Sequence, residues 1–168
     1  SYVQLAEALK QLPGDNWHLL VAGDGPRRET IAQMLETAAP GRVTLLGVLE
    51  SSELAKVYAA SDMLIWPAVV EAFGIALLEA QAAGLPVIAS KQRGVPDIVA
   101  SGITGRLPPP DDIDAFAKAI GGLIDDPETR ARMGSAAARR VREQYDIPVA
   151  AERLDATLKT VTMVVKST

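Results

Sequence analysis

Residues 71–90 read EAFGIALLEAQAAGLPVIAS. The pattern predicts a helix over about 73–83, followed by a short strand over 86–89. After Glu71 at its start, Glu79 is the only charged residue in the run. Such an apolar stretch should be buried, and an unpaired buried carboxylate costs several kcal/mol. We therefore expect Glu79 to be paired, protonated or reserved for a ligand.

The rest of the chain alternates short strand-forming runs with longer helical ones. This alternation is typical of βαβ units and predicts an α/β fold with a doubly wound, Rossmann-like parallel sheet flanked by helices. Further strands are predicted over 17–22, 42–46, 63–66 and 102–107. Further helices are predicted over 2–12, 27–38, 51–60, 94–99, 111–124, 127–144 and 148–159. The last three form a helical C-terminal extension, over about 111–160, of a single domain spanning 1–168.

Three of these helices have predicted start signals. Pro26 suits the first position of the second helix. Ser51 or Ser52 is expected to cap the third helix, and Asp111 or Asp112 the helix that follows the proline run.

Composition excludes several classes of protein. The net charge of −4 and the pI near 5.0 argue against non-specific binding to nucleic acid. There is no cysteine and His18 is the only histidine, so a zinc site or a histidine general base is nearly excluded and no metal ligands are predicted. No apolar run approaches the ~20 residues of a membrane span, and residues 1–4 do not resemble a signal peptide. We expect a cytoplasmic protein.

Four loops each follow a predicted strand, at 23–25, 47–48, 67–74 and 90–94. In an open parallel sheet, ligands bind outside the carboxyl ends of the strands. Glycine in such a loop lets the backbone approach a ligand closely. The candidate binding residues in three of these loops are Gly23, Gly47, Val48 and Gly94.

The fourth loop ends in Phe73-Gly74-Ile75, which opens the central helix. Free N–H groups and the helix dipole favour an anion there, such as a diphosphate. Glu71 lies just outside this turn and can accept hydrogen bonds from sugar hydroxyls. Glu79 lies about a turn and a half inside the helix, where a carboxylate suits a ribose diol. The alternative for Glu79 is a structural acid bonded to backbone or to an arginine.

The spacing of Glu71 and Glu79 resembles the E-x7-E signature of retaining, nucleotide-sugar-dependent glycosyltransferases of the GT-B fold (glycosyl transferases group 1, or family 4). The similarity covers about 3–158 and includes the segments 20–26, 43–48, 94–99, 102–107 and 125–134. Asp97 stands where glutamate is usual. The chain therefore resembles one half of a GT-B fold, the C-terminal domain that binds the donor.

The resemblance implies roles for the candidate residues. Glu71 would contact the hydroxyls of the donor sugar as the catalytic residue, and Glu79 would bind the nucleotide ribose. Backbone near Phe73, Gly74 and Ile75 would hold the diphosphate.

Other implied roles lie in the loops. Gly47 and Val48 would lie beside the base, and residues 91–94, with Gly94, near the donor. The nucleotide-diphosphate sugar is the substrate, and such enzymes use no further cofactor and typically no metal. Positive charge and helix amides would then neutralise the leaving diphosphate.

Two features depart from the family pattern. Members are about twice as long because a separate N-terminal domain binds the acceptor. The first strand of the donor domain, with an Arg and a Lys that clamp the diphosphate, would precede Ser1. Its position is central in the sheet, so without it a gap lined by unpaired backbone is expected. Residues 161–165 have strand composition; they either fill this gap or form a weakly ordered end.

The full enzyme would transfer a sugar from a UDP-, GDP- or ADP-linked donor with retention of configuration. Its expected partners are the donor and its own N-terminal domain, and no nucleic acid. The chain as given should bind nucleotide weakly and should not turn over alone. The alternatives are a non-catalytic nucleotide-binding or interaction module and a GT-B-like sugar-nucleotide epimerase.

Arginines cluster on the late helices, at 130, 132, 139, 140 and 142. A solvated helix face is the simpler interpretation, because Glu128 and Glu143 interleave. A peripheral contact with anionic lipid in the full-length protein is the alternative.

Overall fold

The structure, a computed structural model, describes residues 2–67 and 74–166. Five strands occur in chain order: β1 Leu19–Ala22, β2 Val43–Gly47, β3 Leu64–Trp66, β4 Val87–Ala89 and β5 Gly105–Arg106. The helices are α1 Tyr2–Leu9, α2 Arg28–Ala38, α3 Ser51–Ala60, α4 Ile75–Ala82, α5 Val95–Ile98, α6 Ile113–Ile124, α7 Pro127–Gln144 and α8 Ile147–Lys166.

Every pair of neighbouring strands is parallel, and the helices flank the sheets. The predicted α/β class is confirmed. The strands form two groups, β1–β2 and β3–β4–β5. Within the described residues, no strand lies between β1 and β3. The gap expected from the sequence is therefore present.

The core forms on both sides of the sheet, as a doubly wound fold requires. Successive residues of β4 face opposite sides, which is the two-residue period of a strand. Ile88 joins one apolar cluster, with residues of α1, α2 and α6, while Val87 and Ala89 join the other, with residues of α4 and α5. These three β4 residues are almost completely buried.

Two helices begin at capping aspartates, of which Asp112 was predicted. Asp112 caps α6 by accepting a hydrogen bond from the backbone N–H of Ala115 at 2.8 Å, as predicted. Asp126 caps α7 in the same way, with the N–H of Thr129 at 2.9 Å. That hydrogen bond holds the pKa of the Asp126 carboxyl below its ordinary value.

Two of the predicted helix start signals are wrong. The third helix is preceded by Glu50, which forms a reciprocal capping box with Glu53, so neither Ser51 nor Ser52 is the cap. The box satisfies two backbone donors at once. Pro26 lies outside α2, which begins at Arg28.

Of the two alternatives for residues 161–165, the strand is wrong. These residues continue α8, whose helix runs to Lys166. Strand composition is only a weak preference, and a helix that is already nucleated extends at low cost. The hypothesis that this segment fills the gap in the sheet is therefore contradicted.

Candidate functional site

A cavity of about 820 Å³, the central cavity, lies between β1 and β3. It reaches the carboxyl ends of both strands, the edge at which ligands bind in open parallel sheets. The residues that line it at this edge come from five separate segments: Gly23, Val48, Leu49, Tyr58, Trp66, Pro67, Ala76 and Glu79. The fold thus brings Gly23, Val48 and Glu79, three of the predicted site residues, onto one cavity.

Two glycines shape the first side of this edge. Gly23 has φ +126° and Gly47 has φ +71°, backbone conformations that L side chains rarely adopt. The N–H of Gly23 donates to the carbonyl of Gly47 at 2.7 Å, which ties the ends of β1 and β2 together. Val48 follows with its side chain 76% exposed, so this loop offers an apolar surface and open backbone to a flat ligand.

The start of α4 forms the opposite side. Gly74 precedes the helix in the left-handed conformation, at φ +74°. Its carbonyl accepts from the N–H groups of Leu77 and Leu78, at 2.9 and 3.3 Å. The amides of Ile75 and Ala76 therefore precede the first hydrogen bonds within the helix, where an anion is favoured. Ala76 lines the central cavity, whereas Ile75 is 65% exposed.

Glu79 is not buried, which corrects the expectation from the apolar run around it. Leu77 and Ala80 face the core and are fully buried, while Glu79 projects from another side of the helix into the central cavity and is exposed. The hydroxyl of Tyr58 donates to Glu79 Oε2 at 3.4 Å. An exposed carboxylate held by one long hydrogen bond keeps most of its acceptor capacity for a ligand.

Tyr58 is a site residue that sequence reasoning missed. Burial first, and then the neighbouring Glu79 carboxylate, raise the pKa of the Tyr58 phenol above its ordinary value of 10.0, so the hydroxyl keeps its proton at neutral pH and can donate a hydrogen bond. Any stability that this shift contributes is present below pH 10 and is lost as the pH rises through the higher value. No sequence pattern joins the two residues, which lie on different helices.

The polar residue of α4 that is fully buried is Gln81. Its amide Nε2 donates to the carbonyls of Leu77 and Ile98, at 3.2 and 3.4 Å. Gln81 therefore links α4 to α5. This is the structural role that the sequence analysis left open for Glu79.

The remaining predicted residues fall into two groups. Gly94 precedes α5 and does not line the central cavity, and neither does Gly47. Glu71 and Phe73 lie outside the described residues. Their roles stay predictions.

Arg28, beside the glycine loops, is a second residue that the sequence analysis did not identify. Arg28 begins α2 and pairs with Asp24 at 3.3 Å. A Cβ on Gly47 would lie 3.6 Å from Arg28 Nη1, so the guanidinium reaches the end of β2. The Arg28 guanidinium therefore lies at the end of β2, where Asp24 already pairs with its charge.

The late arginines do not form one free basic patch. Arg130 pairs with Asp62 at 3.3 Å and donates to the carbonyl of Leu123. Arg140 donates to the carbonyl of Asp97 at 3.0 Å. Arg132 donates to the hydroxyl of Thr129 at 3.3 Å, so three of the five arginines bind the protein itself.

Across 2–67 and 74–166, no three histidine, cysteine or carboxylate side chains are grouped to hold a metal ion. Among the helices of that part of the chain, none combines the length and the apolar character that crossing a bilayer demands.

The chain was compared with known proteins. It matches, over residues 1–140, the sequence model of the family described as glycosyl transferases group 1. It is 38% identical over 127 residues to a sulfoquinovosyl transferase of Arabidopsis thaliana, covering 74% of this chain and 24% of the relative. It is 37% identical over 143 residues to a D-inositol 3-phosphate glycosyltransferase of Corynebacterium efficiens, covering 82% of this chain and 34% of the relative.

Solved structures of glycosyltransferases also resemble this chain. A sucrose-phosphate synthase from Thermosynechococcus elongatus superposes with a TM-score of 0.83 at 29% identity, over 97% of this chain and 42% of that one. HepE from Anabaena, solved with UDP and glucose, superposes with a TM-score of 0.82 at 25% identity, over 94% of this chain and 44% of that one. The resemblance to GT-B glycosyltransferases is confirmed, although the chain spans only about a quarter of the first of these two curated relatives and a third of the second. The chain belongs to the glycosyl transferases group 1 family.

Proposed function

We propose that the chain is the donor-binding domain of a retaining glycosyltransferase and that a nucleoside-diphosphate sugar binds at the carboxyl-end edge of the central cavity. One observation carries this proposal: Gly23 after β1, Val48 after β2, and Ala76 and Glu79 of α4 all line the same cavity. Together they offer what such a donor needs. Open backbone and an apolar surface suit the base, helix amides suit the diphosphate, and a carboxylate suits the ribose.

Each part of the donor has a proposed contact. The amides of Ile75 and Ala76 bind the diphosphate, with Gly74 setting the approach. The carboxylate of Glu79 accepts hydrogen bonds from the ribose hydroxyls. The loop at 47–48 lies against the base.

The other proposed roles rest on the sequence resemblance. Glu71 contacts the sugar, while backbone at Phe73 and Gly94 lies near the donor. Positive charge and helix amides neutralise the departing diphosphate, so the reaction proceeds without a metal or another cofactor.

The nature of the donor is supported by a relative. HepE, a protein of the same fold, was solved with UDP, with UDP and glucose, and with UDP-glucose. We propose that this chain binds UDP, GDP or ADP at the corresponding edge. The acceptor binds to a further domain of the intact protein, so residues 1–168 bind donor weakly and do not turn it over.

Calorimetry with UDP, GDP and ADP tests the proposal. One of the three should bind saturably to a single site and release heat in proportion to occupancy. Addition of EDTA should leave the affinity unchanged, because no metal takes part. If none of the three binds, the chain is not a donor-binding domain.

Glu71→Gln is expected to weaken binding of the sugar nucleotide more than binding of the bare nucleoside diphosphate. A carboxylate that meets only sugar hydroxyls contributes nothing when the sugar is missing. The two dissociation constants, measured for UDP and UDP-glucose or the matching GDP or ADP pair, check this. Equal losses for both ligands would reject the sugar contact.

Tyr58→Phe is expected to weaken nucleotide binding by about 0.5–1.5 kcal/mol, because the Glu79 carboxylate loses the hydroxyl that orients it. In a Glu79→Gln background the same change should have a smaller effect, which a double-mutant cycle measures. Tyr145→Phe is the matched control, since its hydroxyl binds the carbonyl of Asp97 away from the cavity. Equal effects of Tyr58→Phe in both backgrounds would show that the hydroxyl does not act through Glu79.

A further inference from the structure

Apolar burial determines only weakly how α4 is rotated about its own axis. The side of this helix that faces the core carries Leu77, Ala80 and Gln81, which are buried. The outer side carries Ile75 and Glu79, which are exposed. Both sides therefore combine a large aliphatic side chain with a polar one. Such a helix has no wide apolar stripe that would select one side for the core.

A competing rotation of α4 would bury more apolar surface. Leu78 is only partly buried, at the border of the apolar cluster that contains Leu77. Successive residues of a helix are about 100° apart, so a rotation of about that size would bring Leu78 to the centre of the core side. Glu79 would swing by the same angle, away from its present direction into the central cavity. The charge of Glu79 opposes a half-turn that would bury it, but not this smaller rotation.

Gln81 opposes the smaller rotation. Its Nε2 donates to the carbonyl of Leu77 in its own helix and to the carbonyl of Ile98 on α5, at 3.2 and 3.4 Å. Both partners are carbonyls, so the NH2 group is the end of the amide that faces them. Gln81 and Glu79 are two residues apart, which is about 200° around a helix. The side chain of Glu79 therefore points into the cavity when Gln81 faces α5.

The helix α5 is a fixed partner for this bond. Val95 and Ile98 of α5 are almost completely buried. Arg140 of α7 donates to the carbonyl of Asp97 at 3.0 Å. The carbonyls of the last two residues of α5 thus accept hydrogen bonds from side chains of two different helices. A rotation of α4 would break the bond from Gln81 and would not carry α5 along.

The amide of Gln81 adds little to stability. Its Oε1 is buried, and nothing in the part of the chain that the structure describes donates to it. A buried acceptor without a partner costs about as much as two long hydrogen bonds return. An apolar side chain of the same length would fill the space without that cost. Buried polar groups of this kind can select one arrangement among several, as a single buried asparagine does in a coiled coil.

We propose that Gln81 is a positioning residue of the donor site, which locks α4 to α5 in the rotation that directs the Glu79 carboxylate into the central cavity. The inference rests on the proposed function, in which Glu79 accepts hydrogen bonds from the ribose. The N–H groups at the start of α4 point along the helix axis, so a rotation about that axis changes their direction little. Gln81 therefore acts on the site through Glu79.

The test replaces Gln81 by methionine, which keeps the length of the side chain but cannot donate a hydrogen bond. If only about a third to a tenth of the molecules keep the directed rotation, the dissociation constant of the preferred nucleoside diphosphate rises about three- to tenfold. The unfolding temperature should be no lower than that of the unaltered chain, because the unpaired Oε1 is removed together with two weak bonds. In a Glu79→Gln background, Gln81→Met should have a much smaller effect on affinity.

A second readout needs no ligand. Burial and then the Glu79 carboxylate raise the pKa of the Tyr58 phenol. A titration followed by the NMR signal of the Tyr58 ζ carbon should give a lower pKa in Gln81→Met than in the unaltered chain, because the carboxylate has swung away. In a Glu79→Gln background, Gln81→Met should leave this pKa unchanged.

Gln11→Met is the matched control. The amide of Gln11 also joins two segments, since Nε2 donates to Oδ1 of Asp114 in α6 at 3.0 Å. Neither residue lines the central cavity. This change should alter neither the nucleotide affinity nor the pKa of Tyr58.

Three results would overturn the proposal. An equal pKa of Tyr58 in Gln81→Met and in the unaltered chain would mean that α4 keeps its rotation without the amide. This readout holds even if no nucleoside diphosphate binds, a result that would reject the proposed function alone. Affinity losses of equal size with and without Glu79 would mean that Gln81 does not act through this carboxylate. A clearly lower unfolding temperature of Gln81→Met would mean that the amide supports the fold as a whole and not the rotation of α4.

Discussion

Glu79→Gln is expected to weaken binding of the preferred nucleoside diphosphate by about 1–3 kcal/mol, or roughly five- to 150-fold. The reason is the loss of charge-assisted hydrogen bonds from the carboxylate to the ribose hydroxyls. Glu79 is exposed on the cavity and its one described hydrogen bond, to Tyr58, is long at 3.4 Å. The fold should be nearly unaffected, because the substitution leaves no buried group without a partner. Calorimetry and thermal denaturation measure the two quantities.

The matched control is Glu152→Gln, at an exposed position of α8. It removes the same charge from the chain without touching the cavity. Equal losses in the two variants would mean that net charge, and not a ribose contact, determines the affinity. Unchanged binding in Glu79→Gln would show that Glu79 takes no part in the site.

Gly134→Ala is expected to lower the free energy of unfolding by about 1–3 kcal/mol. Gly134 lies in α7 where this helix crosses the turn after α4. A Cβ at this position would lie 2.0 Å from the carbonyl oxygen of Gly84 and 3.5 Å from Cδ of Pro86. The nearest atom belongs to the backbone, so α7 and the end of α4 would have to separate. Thermal or urea denaturation of the variant measures the cost.

Gly121→Ala in α6 is the control for this prediction. It makes the same chemical change inside a helix, but the nearest atoms to its Cβ, on Leu12 and Pro13, lie at an ordinary 3.8 Å. The alanine should raise stability by about 0.5–1 kcal/mol, because glycine loses more backbone entropy on folding. If both variants change stability in the same direction, close packing at Gly134 is not the cause.

Much of the fold was predictable because local signals agree with one another. Helix α7 has a capping aspartate, Asp126, followed by Pro127 in the first turn, and its predicted bounds of 127–144 are those observed. The central helix and the following strand also lie where the apolar run predicts them, within two residues.

Other features depend on contacts that no local pattern contains. The helix α4 is apolar on most sides, so its sequence does not show which side faces the core; this is why Glu79 was expected to be buried and Gln81 was overlooked. Tyr58 and Glu79 are 21 residues apart and meet only because α3 and α4 flank the same cavity.

The last strand was predicted too long for a different reason. Residues 102–107 have strand composition, but β5 contains only Gly105 and Arg106. Gly102 takes φ +80° and its N–H donates to the carbonyl of Gly105 at 2.8 Å, which closes a turn. The hydroxyl of Thr104 accepts from the N–H of Ala100 at 3.0 Å and fixes that turn. Local hydrogen bonding here prevails over strand propensity.

The most direct test of the central claim is an amide-resolved NMR titration of residues 1–168 with the nucleoside diphosphate that binds best in calorimetry. We predict saturable shifts at Gly23, Val48, Ala76 and Glu79, with one dissociation constant for all four. Amides of α8 should not move. Shifts confined to other surfaces, or no saturable shift at these four residues, would contradict the assignment of the nucleotide site to the central cavity.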